Sequence, residues 1–584
     1  MQEKKIVDLE KALNDKYPKL FTKYPKFISN LLISLLKKLF YEDRINNFLA
    51  LNKDAKNKEI IDRFLKSINF TYKIDNISLQ NIPKSGRVIF ISNHPLGGLD
   101  ALSLMHLISG VRKDVKILAN EFLMKLDPIS NMLIPIDNIS NQSSREAIKS
   151  VDEHLKNEGA IIIFPAGEVS RAKVFGIKDL NWKGGFLKFA KRAQAPIVPI
   201  FVSARNSSLF YAISAIYKPL AGLLLGHEVM NKKNKSITIK IGEMIPYKNL
   251  ILPEIKSPDN TLKLIQRHLY NIGKNRKTIF KTQRCLVDRV DSNEVYEEVL
   301  KGLNLGKTRD GKEIYLCKTP NKSALLTEIG RLRELTFRRV GEGTGKECDV
   351  DEFDLYYEHL VLFDTEIKEI VGAYRIGVAN EINPTLDSKK LYTQTLFSFK
   401  NEAKFLLQDS IELGRSFVQP KFWGTRALDY LWYGIGAYIK KFPETKYMFG
   451  PVSISANYPK TARDMMIYFY KKHFTSKKEI VVSKNRYFIS QAEKEELDIL
   501  FCGQSYEEDF KILKESLANF DLSVPTLYKQ YSELCDEGGV EFLDFGIDTD
   551  FEDCADGFIL VQTDKIKEAK RKRYIGDLDW FQAS

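Results

Sequence analysis

Cysteine is scarce in this chain, and none of it is spaced for a metal site or a redox pair. The six cysteines among 584 residues all lie after residue 280, and no two of them form a Cys-x-x-Cys motif. This spacing argues against a structural zinc site and against a disulfide framework. It is typical of a protein that works in a reducing cytosol.

Long apolar runs are missing as well. No stretch reaches the roughly 18 uninterrupted apolar residues of a bilayer-spanning helix, and the chain begins Met-Gln-Glu-Lys-Lys, without the apolar core of an export signal. Residues 23–40 and 209–225 instead combine lysines with apolar residues at helical spacing. Such segments suit an anionic bilayer surface, and core helices share the pattern. We expect residues 1–45 to attach the protein peripherally to the cytoplasmic face of the inner membrane, with core packing as the alternative.

Acidic residues are the minority: 76 Asp and Glu face 89 Lys and Arg, giving a net charge of +13. Signatures of zinc fingers, ribonucleoprotein domains and helix-turn-helix domains are missing. We therefore expect anionic lipid and an acidic acyl carrier protein as partners rather than nucleic acid, although surplus lysines also simply solvate a surface. The length and an apolar content of 44% predict two or three domains with proper cores.

The first informative motif is a histidine and an aspartate on a glycine-rich turn. The apolar run 88–91 predicts a strand, and His94, Gly97, Gly98 and Asp100 follow it. A neutral imidazole can take a proton from a hydroxyl group, and a neighbouring carboxylate fixes its tautomer. The alternative is a capped turn with a structural histidine.

A second loop of the same kind follows about seventy residues later. The apolar run 160–164 predicts a buried strand that leads into Pro-Ala-Gly-Glu-Val-Ser-Arg, and the run 195–202 predicts another strand. Backbone N–H groups on such a turn, together with a cation, suit a phosphate or a developing oxyanion. The candidate residues here are Gly167, Glu168, Arg171 and Lys183.

The order of these blocks resembles the glycerolipid acyltransferases of the lysophosphatidate acyltransferase type over about residues 30–260. Their pattern is a His-x4-Asp dyad, a Phe-Pro-Glu-Gly-Thr-Arg-like loop and a Val-Pro strand. The resemblance implies His94 as the base, Asp100 as its orienting group, and substrate contacts at Asn93 and the four candidate residues of the second loop.

Two departures from that family pattern stand out. Five residues separate His94 from Asp100 where the family has four, and Ala166 replaces the usual glutamate. Glycine tolerates the backbone angles of a bulged turn, so Gly97 and Gly98 can absorb the extra residue. The missing glutamate implies an acceptor other than glycerol phosphate, and an amino-acid lipid is compatible with it.

A boundary is predicted between residues 250 and 290, and the pattern changes after it. A basic amphipathic helix at 329–338 precedes a strand hairpin at 359–364 and 370–377. A further strand, 411–418, passes through Lys421 and Gly424 into a helix near residue 427. A glycine turn at a helix N-terminus binds anions, so we expect it to hold the phosphate of a phosphopantetheine arm, although a ligand-free turn looks similar.

In combination, these blocks resemble the acyl-homoserine-lactone synthase branch of the acetyltransferase superfamily and the related ornithine N-acyltransferases, over about residues 300–575. The resemblance implies catalytic roles for Glu412 and Arg415, and it leaves the base that deprotonates the amine unidentified. Substrate-binding roles are implied for Arg333, Phe337, Asp354, Arg375, Lys421 and Gly424. The acidic tail at 544–556 either is a set of solvated loops or holds an ammonium group.

We therefore predict an α/β chain of two domains after the 1–45 segment: a glycerolipid-acyltransferase-like domain at 46–280 and a GNAT-like domain of the acetyltransferase superfamily at 285–584. This arrangement resembles the bifunctional ornithine lipid synthases of bacteria. It implies N-acylation of ornithine by 3-hydroxyacyl carrier protein, followed by O-acylation of the new lipid. The thioester, on carrier protein or coenzyme A, is the co-substrate, and no metal or redox cofactor is needed.

Other functions remain open at this stage. Glycine or serine can replace ornithine as the acceptor. A lysophospholipid acyltransferase with a regulatory second half is a rival enzyme. A membrane-binding scaffold with an inactive dyad is the alternative without catalysis.

Overall fold

The computed structural model describes residues 41–120, 123–124, 126–136, 141–173, 176–216, 224–251, 257–384, 390–475, 479–503 and 505–576. It also describes the single residues 10, 30, 31, 33, 34, 37 and 38. It divides into two units, residues 1–285 and 286–584. Among the described residues, no helix has the length and apolarity needed to cross a bilayer. Most of the predicted interfacial helix at 23–40 lies outside these residues, as do residues 217–223 of the second segment, so membrane contact stays a prediction.

The first unit is built on a seven-stranded sheet, with a two-stranded ribbon beside it. Its strands are β1 Thr71–Lys73, β2 Val88–Ser92, β3 Val115–Asn120, β4 Leu133–Ile136, β5 Ala160–Ile163, β6 Arg171–Lys173, β7 Gly176–Lys178, β8 Ile197–Ser203 and β9 Ser236–Ile241. Its α-helices are Glu42–Leu51, Lys58–Ser67, Asn76–Gln80, Gly98–Ser109, Asn141–Lys156, Gly185–Ala193, Ser208–Ile216, Leu225–Asn231 and Pro258–Gly273, with 3-10 turns at Asp127–Met132 and Tyr247–Leu250.

The sheet order is β1-β9-β8-β2-β5-β3-β4, and β2 pairs in parallel with both β5 and β8. Side chains of β2 alternate between two cores: Val88 and Phe90 pack on one face of the sheet, Ile89 and Ile91 on the other. Strands buried on both faces read as unbroken apolar runs. Because β2 and β5 are parallel, the loops after them meet at one edge of the sheet.

The second unit has an eight-stranded sheet and a separate two-stranded one. Its strands are β10 Leu303–Lys307, β11 Glu313–Lys318, β12 Glu358–Asp364, β13 Glu369–Val378, β14 Phe397–Phe399, β15 Ser410–Val418, β16 Tyr447–Ile454, β17 Val481–Ser483, β18 Val540–Asp548 and β19 Cys554–Gln562. Its α-helices are Ser292–Val299, Ala324–Val340, Ala379–Ile382, Thr393–Leu396, Ala427–Lys441, Lys460–Phe474, Gln491–Leu500, Tyr506–Ala518, Thr526–Ser532 and Glu568–Tyr574, with 3-10 turns at Glu352–Leu355, Asn401–Leu407, Pro420–Phe422 and Thr563–Lys565.

The large sheet has the order β10-β11-β12-β13-β15-β16-β19-β18 and contains the predicted hairpin as β12 and β13. Its one parallel pairing among the described residues, β15 with β16, runs only from Ser410 to Glu412. Beyond that point Arg415 takes a left-handed backbone with φ of 47°, at an irregularity in the β13–β15 ladder. The two strands therefore part, and a cleft opens between them. The predicted two-domain α/β architecture is confirmed.

Candidate active sites

A cavity of about 630 Å³ lies at the edge of the first sheet where the loops after β2 and β5 meet. His94, Gly167, Glu168 and Arg171 line it, and most of the remaining wall is apolar. The apolar lining residues are Ala101, Ile117, Leu118, Ala119, Leu123, Ile163, Phe164, Val169, Phe210, Leu225 and Val229. An apolar cavity with a few convergent polar groups suits a long acyl chain bound next to a reacting group.

The predicted dyad is assembled at this cavity. His94 Nδ1 lies 3.3 Å from Asp100 Oδ2, and Asp100 is fully buried behind it. The same carboxylate oxygen accepts the backbone N–H of Leu96 at 2.9 Å. The imidazole stacks on the ring of Phe164, with 3.9 Å between centroids. Nδ1 faces the Asp100 carboxylate at ion-pair distance, without a hydrogen bond among the described residues. Nε2 is therefore the nitrogen left for a hydroxyl group at the cavity.

Gly97 absorbs the extra residue between the histidine and the aspartate. Its φ of 88° and ψ of −115° belong to glycine, and the following helix begins at Gly98. Asp100 therefore sits in the first helical turn and faces back towards His94. A Cβ at Gly97 would also come within 3.3 Å of the Leu225 and Val169 side chains. The unusual spacing does not separate the dyad.

Asp179 fixes the turn that carries His94, and sequence reasoning missed it because a single aspartate after a short strand carries no local signal. Its Oδ1 accepts the backbone N–H of His94 at 3.2 Å and the Ser170 hydroxyl. Its Oδ2 accepts the indole N–H of Trp182 at 3.0 Å. Burial raises the pKa of Asp179, while these hydrogen bonds and the nearby His94 oppose the rise. One carboxylate thus joins the His94 turn to the second loop.

We expect Asp179→Asn to reduce kcat for O-acyl transfer by up to about 100-fold with little change in KM, because a small displacement of a catalytic group has effects of this size. The amide leaves at least one of the three donors without an acceptor. Single-turnover transfer to supplied lyso-lipid measures the effect. Asp54→Asn, at an exposed acid of the same unit, is the matched control. A folded Asp179→Asn chain with wild-type kcat would contradict this positioning role.

The second loop brings Gly167, Glu168 and Arg171 to the cavity, and Lys183 lies beside Gly167 without lining the cavity. Arg171 Nη2 lies 3.4 Å from Glu168 Oε2, and Nη1 donates to the Ser214 hydroxyl. Its Nε is buried with no hydrogen-bond partner in the described part of the chain. Lys183 is exposed, and its Nζ lies 3.5 Å from the point where a Cβ on Gly167 would stand. Two cations thus flank the Gly167 turn, which suits an anionic group there.

Asn93, a predicted substrate contact, bonds to the backbone of β8 in the structure. Its amide nitrogen donates to the Val202 carbonyl at 2.9 Å, and its amide oxygen accepts the Val202 N–H at 2.7 Å. Both polar atoms are therefore used in tying the end of β2 to β8, and the side chain is buried.

In the second unit, a cavity of about 580 Å³ occupies the cleft between β15 and β16. Two of the predicted site residues, Arg415 and Phe337, line this cavity. Glu342, Tyr392 and Asp556 add polar groups to its wall. The apolar lining residues are Val340, Pro451, Val452, Val524, Pro525, Leu527 and Phe551.

Three predicted binding residues instead form a buried ion network away from this lining. Arg333 donates to both oxygens of Asp354, at 2.8 and 2.7 Å. Arg375 Nη1 lies 2.6 Å from Asp351 and 3.3 Å from Asp354. Burial alone would raise the pKa of Asp354, but Arg333 and Arg375 outweigh it and hold that pKa well below its usual range. Arg333 and Asp354 thus neutralise each other, while Arg375 keeps Nε and Nη2 without a hydrogen-bond partner among the described residues. The substrate-binding roles of these three residues stay predictions.

Glu412 is also buried away from the cavity lining. Its carboxylate accepts the backbone N–H of Thr393 at 2.6 Å, that of Tyr392 at 3.2 Å, and the Tyr357 hydroxyl. Burial raises the pKa of Glu412, and these donors oppose the rise. The carboxylate thus holds the 392–393 segment against β15, and the catalytic role of Glu412 stays a prediction.

Arg415 keeps unused hydrogen-bonding capacity at the cavity. Its Nη2 lies 3.4 Å from Asp351, and its Nε lies 3.7 Å from Asp349 without a hydrogen bond. The guanidinium carbon stands 5.0 Å above the ring of Tyr392 and 4.7 Å above that of Phe551. Aromatic faces on a cation hold it in place without using its N–H donors. Arg415 can therefore bind an anion in the cavity.

The turn predicted to bind a phosphate is present in the structure. Of its two predicted residues, Lys421 already has a partner. Gly424 has a φ of 76° and open space around its Cα, and the following helix begins at Ala427. Lys421 pairs with Glu369 and lies over the ring of Phe422. The backbone of the turn, rather than the lysine, is therefore available to bind a phosphate.

Comparisons with known proteins match both halves. Residues 11–273 match the family described as Acyltransferase, and residues 332–433 match the Acetyltransferase (GNAT) domain. A glycine N(alpha)-acyltransferase of Bacteroides thetaiotaomicron is 35% identical over 46% of this chain and 82% of its own length. A lyso-glycine lipid O-acyltransferase of Phocaeicola vulgatus is 32% identical over 46% of this chain and 95% of its own length.

A third relative is more distant. The L-ornithine N(alpha)-acyltransferase of Brucella abortus is 29% identical over 22% of this chain and 50% of its own length. The chain belongs to the acyltransferases of aminolipid biosynthesis, and it joins an N-terminal acyltransferase domain to a C-terminal acetyltransferase-superfamily domain.

Proposed function

We propose that this chain builds a two-chain aminolipid by two successive acyl transfers. The C-terminal unit joins a 3-hydroxyacyl group to the α-amine of an amino acid, and the N-terminal unit then acylates the 3-hydroxyl group. The observation that carries the proposal is the presence of two acyl-sized cavities in one chain, one with a His–Asp dyad and one with a buried arginine. The order follows from the chemistry, because the first product supplies the hydroxyl that the second step uses.

In the second transfer, His94 acts as the base. Its Nε2 takes the proton of the lyso-lipid hydroxyl, and the oxygen attacks the thioester carbonyl. Asp100 holds the imidazole at 3.3 Å and stabilises the imidazolium. The Gly167 turn and Arg171 face the developing oxyanion. The leaving thiolate then takes the proton from His94, so the ester forms as the C–S bond breaks.

In the first transfer, Arg415 binds the carboxylate of the amino acid through the donors left free at the cavity. The apolar wall between Val452 and Phe551 holds the acyl chain of the donor. The Gly424 turn at the start of the following helix receives the phosphate of the phosphopantetheine arm. Acyl carrier protein is the proposed donor, since its acidic surface matches a chain with a net charge of +13.

Glycine is the amino acid we propose to test first. The sequence patterns favoured ornithine, with glycine and serine as alternatives. The glycine N(alpha)-acyltransferase matches over 82% of its length at 35% identity, against 50% and 29% for the L-ornithine N(alpha)-acyltransferase. We also propose peripheral attachment to the cytoplasmic face of the inner membrane, where both the lyso-lipid and anionic headgroups are found.

Expression in a bacterial host that makes no aminolipid tests the function. We expect a phosphorus-free, ninhydrin-positive lipid with two acyl chains that releases glycine on hydrolysis. Arg415→Lys, which keeps the charge but lacks the planar fork, should yield at least about tenfold less lipid, because one charge-assisted hydrogen bond contributes about 1.5–3 kcal/mol. Release of ornithine would change the head group only. Rescue of a lysophosphatidate acyltransferase mutant, without any new aminolipid, would favour the lysophospholipid enzyme.

A further inference from the structure

Two carboxylic acids in the second cavity have no role in the steps derived so far. Asp556 lies on β19, opposite Ser453 of β16, and it is only 3% exposed. Its Oδ1 is buried without a hydrogen-bond partner among the described residues, and the side chain lines the cavity. A buried, unpartnered carboxylate oxygen at a cavity wall needs a donor from a ligand.

Glu342 reaches the same cavity from a different element. Gly341 ends the helix Ala324–Val340 with a φ of 86°, and Glu342 follows it directly. Only glycine fits there, since a Cβ would collide with Asn457 and Ser455. Neither Glu342 nor Asp556 forms a salt bridge within the described chain, whereas Asp351 and Asp354 are each paired with arginine.

The surroundings of the two acids raise their pKa values towards neutral pH. Burial raises the pKa of Asp556 to about 7, with Asp548 adding to the rise and Ser453 and Arg415 opposing it. Burial raises the pKa of Glu342 to about 8, and Asp556 adds to that rise. The titratable groups that interact with Asp556 are Glu342, Tyr392, Arg415, Tyr528, Asp548 and Cys554.

Two other acids of the C-terminal tail are occupied. Asp544 accepts from Arg486 and from the backbone of Ser483. Asp548 accepts the Tyr392 hydroxyl at 3.2 Å and the backbone N–H of Asp550 at 2.9 Å. Asp556 is thus the tail acid with a free acceptor at the cavity.

We propose that Asp556 and Glu342 form the amine site of N-acylation, with Asp556 as the proton acceptor. This inference rests on the proposed function. The amino acid binds as a zwitterion, its carboxylate at Arg415 and its ammonium group between the two acids. A cation and two acids in the wall of one cavity match that charge pattern.

The chemical step balances without any further reagent. Asp556 takes one proton from the ammonium group, and the nitrogen lone pair attacks the thioester carbonyl carbon. The C–N bond forms and the C–S bond breaks. The second nitrogen proton goes to the departing thiolate, and Asp556 returns its own proton to solvent.

The test uses the full chain carrying Asp556→Asn, which keeps the side-chain shape and removes the proton acceptor. We expect N-acylation of glycine to fall about 100- to 10,000-fold, as for other general bases, with kcat reduced more than KM is raised. O-acylation of supplied lyso-lipid should stay within twofold of wild type, which serves as an internal control. Glu342→Gln should mainly raise the KM for glycine. Asp553→Asn, at an exposed acid outside the cavity lining, should change neither activity.

Two pH profiles separate this role from a structural one. In the wild type, kcat/KM for N-acylation should rise with pH and level off above about 7, where Asp556 is ionised, and the variant should lose that limb. A raised folded-state pKa means that ionisation destabilises the fold. Asp556→Asn should therefore melt above the wild type at pH 8, by a margin that shrinks as the pH falls from about 7 towards the usual value of 3.8.

Each result has one meaning. A folded Asp556→Asn chain that N-acylates glycine at the wild-type rate overturns the amine site and leaves the proposed function intact. A wild-type chain that N-acylates no amino acid overturns the proposed function, and the amine site with it.

Discussion

Replacing His94 with alanine is expected to slow O-acyl transfer by about 100- to 10,000-fold, the usual loss when a positioned base is removed. The proposed function assigns N-acylation to the other unit, so that step should continue. Cells that carry His94→Ala should therefore accumulate the single-chain lyso-lipid at the expense of the two-chain product. The physical reason is that the proposed mechanism uses Nε2 as the proton acceptor for the lyso-lipid hydroxyl, and alanine leaves only water there.

Lipid extracts analysed by mass spectrometry measure the ratio of one-chain to two-chain aminolipid. His154→Gln is the matched control, because His154 lies on the helix Asn141–Lys156 and bonds backbone carbonyls outside the cavity lining. It should leave the ratio unchanged. Unchanged two-chain lipid in the His94→Ala strain would remove His94 from the mechanism.

Replacing Asp354 with alanine is expected to destabilise the C-terminal unit by about 3–5 kcal/mol, because it leaves two buried arginines without their shared carboxylate. Asp354 is fully buried and bonds Arg333 through both oxygens. Domains have only about 5–15 kcal/mol of net stability, so much of the unit's stability depends on this one side chain. Denaturant titration of the full chain, followed by fluorescence, measures the loss.

The pH dependence has a definite sign. The pKa of Asp354 is depressed in the folded state, so its contribution is present above the unfolded value of 3.8 and is lost as the pH falls through the lower folded-state value. Glu352→Gln, at an exposed neighbour, should unfold like the wild type. An Asp354→Ala chain with an unchanged midpoint would show that the two arginines do not need this carboxylate.

Local patterns in the sequence were enough for the scaffold and for the His94–Asp100 pair of the first site. Strands β2 and β5 are buried on both faces. Such strands have unbroken apolar sequences, which can be recognised without a structure. The dyad was also predictable, because the two residues are close in sequence and a glycine turn joins them. The distance of 3.3 Å between them depends on a local backbone angle at Gly97.

The second site was predictable only in part. The patterns identified Arg415 and Phe337, which line the cavity, but they also assigned binding or catalytic roles to Arg333, Arg375 and Glu412. The sequence pattern around a charged residue is the same whether the residue faces a cavity or neutralises a buried partner. The partner of Arg333 lies 21 residues away along the chain, and the donors to Glu412 come from the 392–393 segment.

The sequence by itself therefore determined the two α/β units, their central strands and the His94 turn, because these depend on periodicity and on contacts between near neighbours. Only the tertiary structure decided which charges line a cavity and which pair with one another. Asp179 meets His94, and Glu342 meets Asp556, through strands and loops that are distant in sequence. Burial and pairing are properties of the folded chain, since desolvation and Coulomb energy depend on what surrounds a group in space and not on its sequence neighbours.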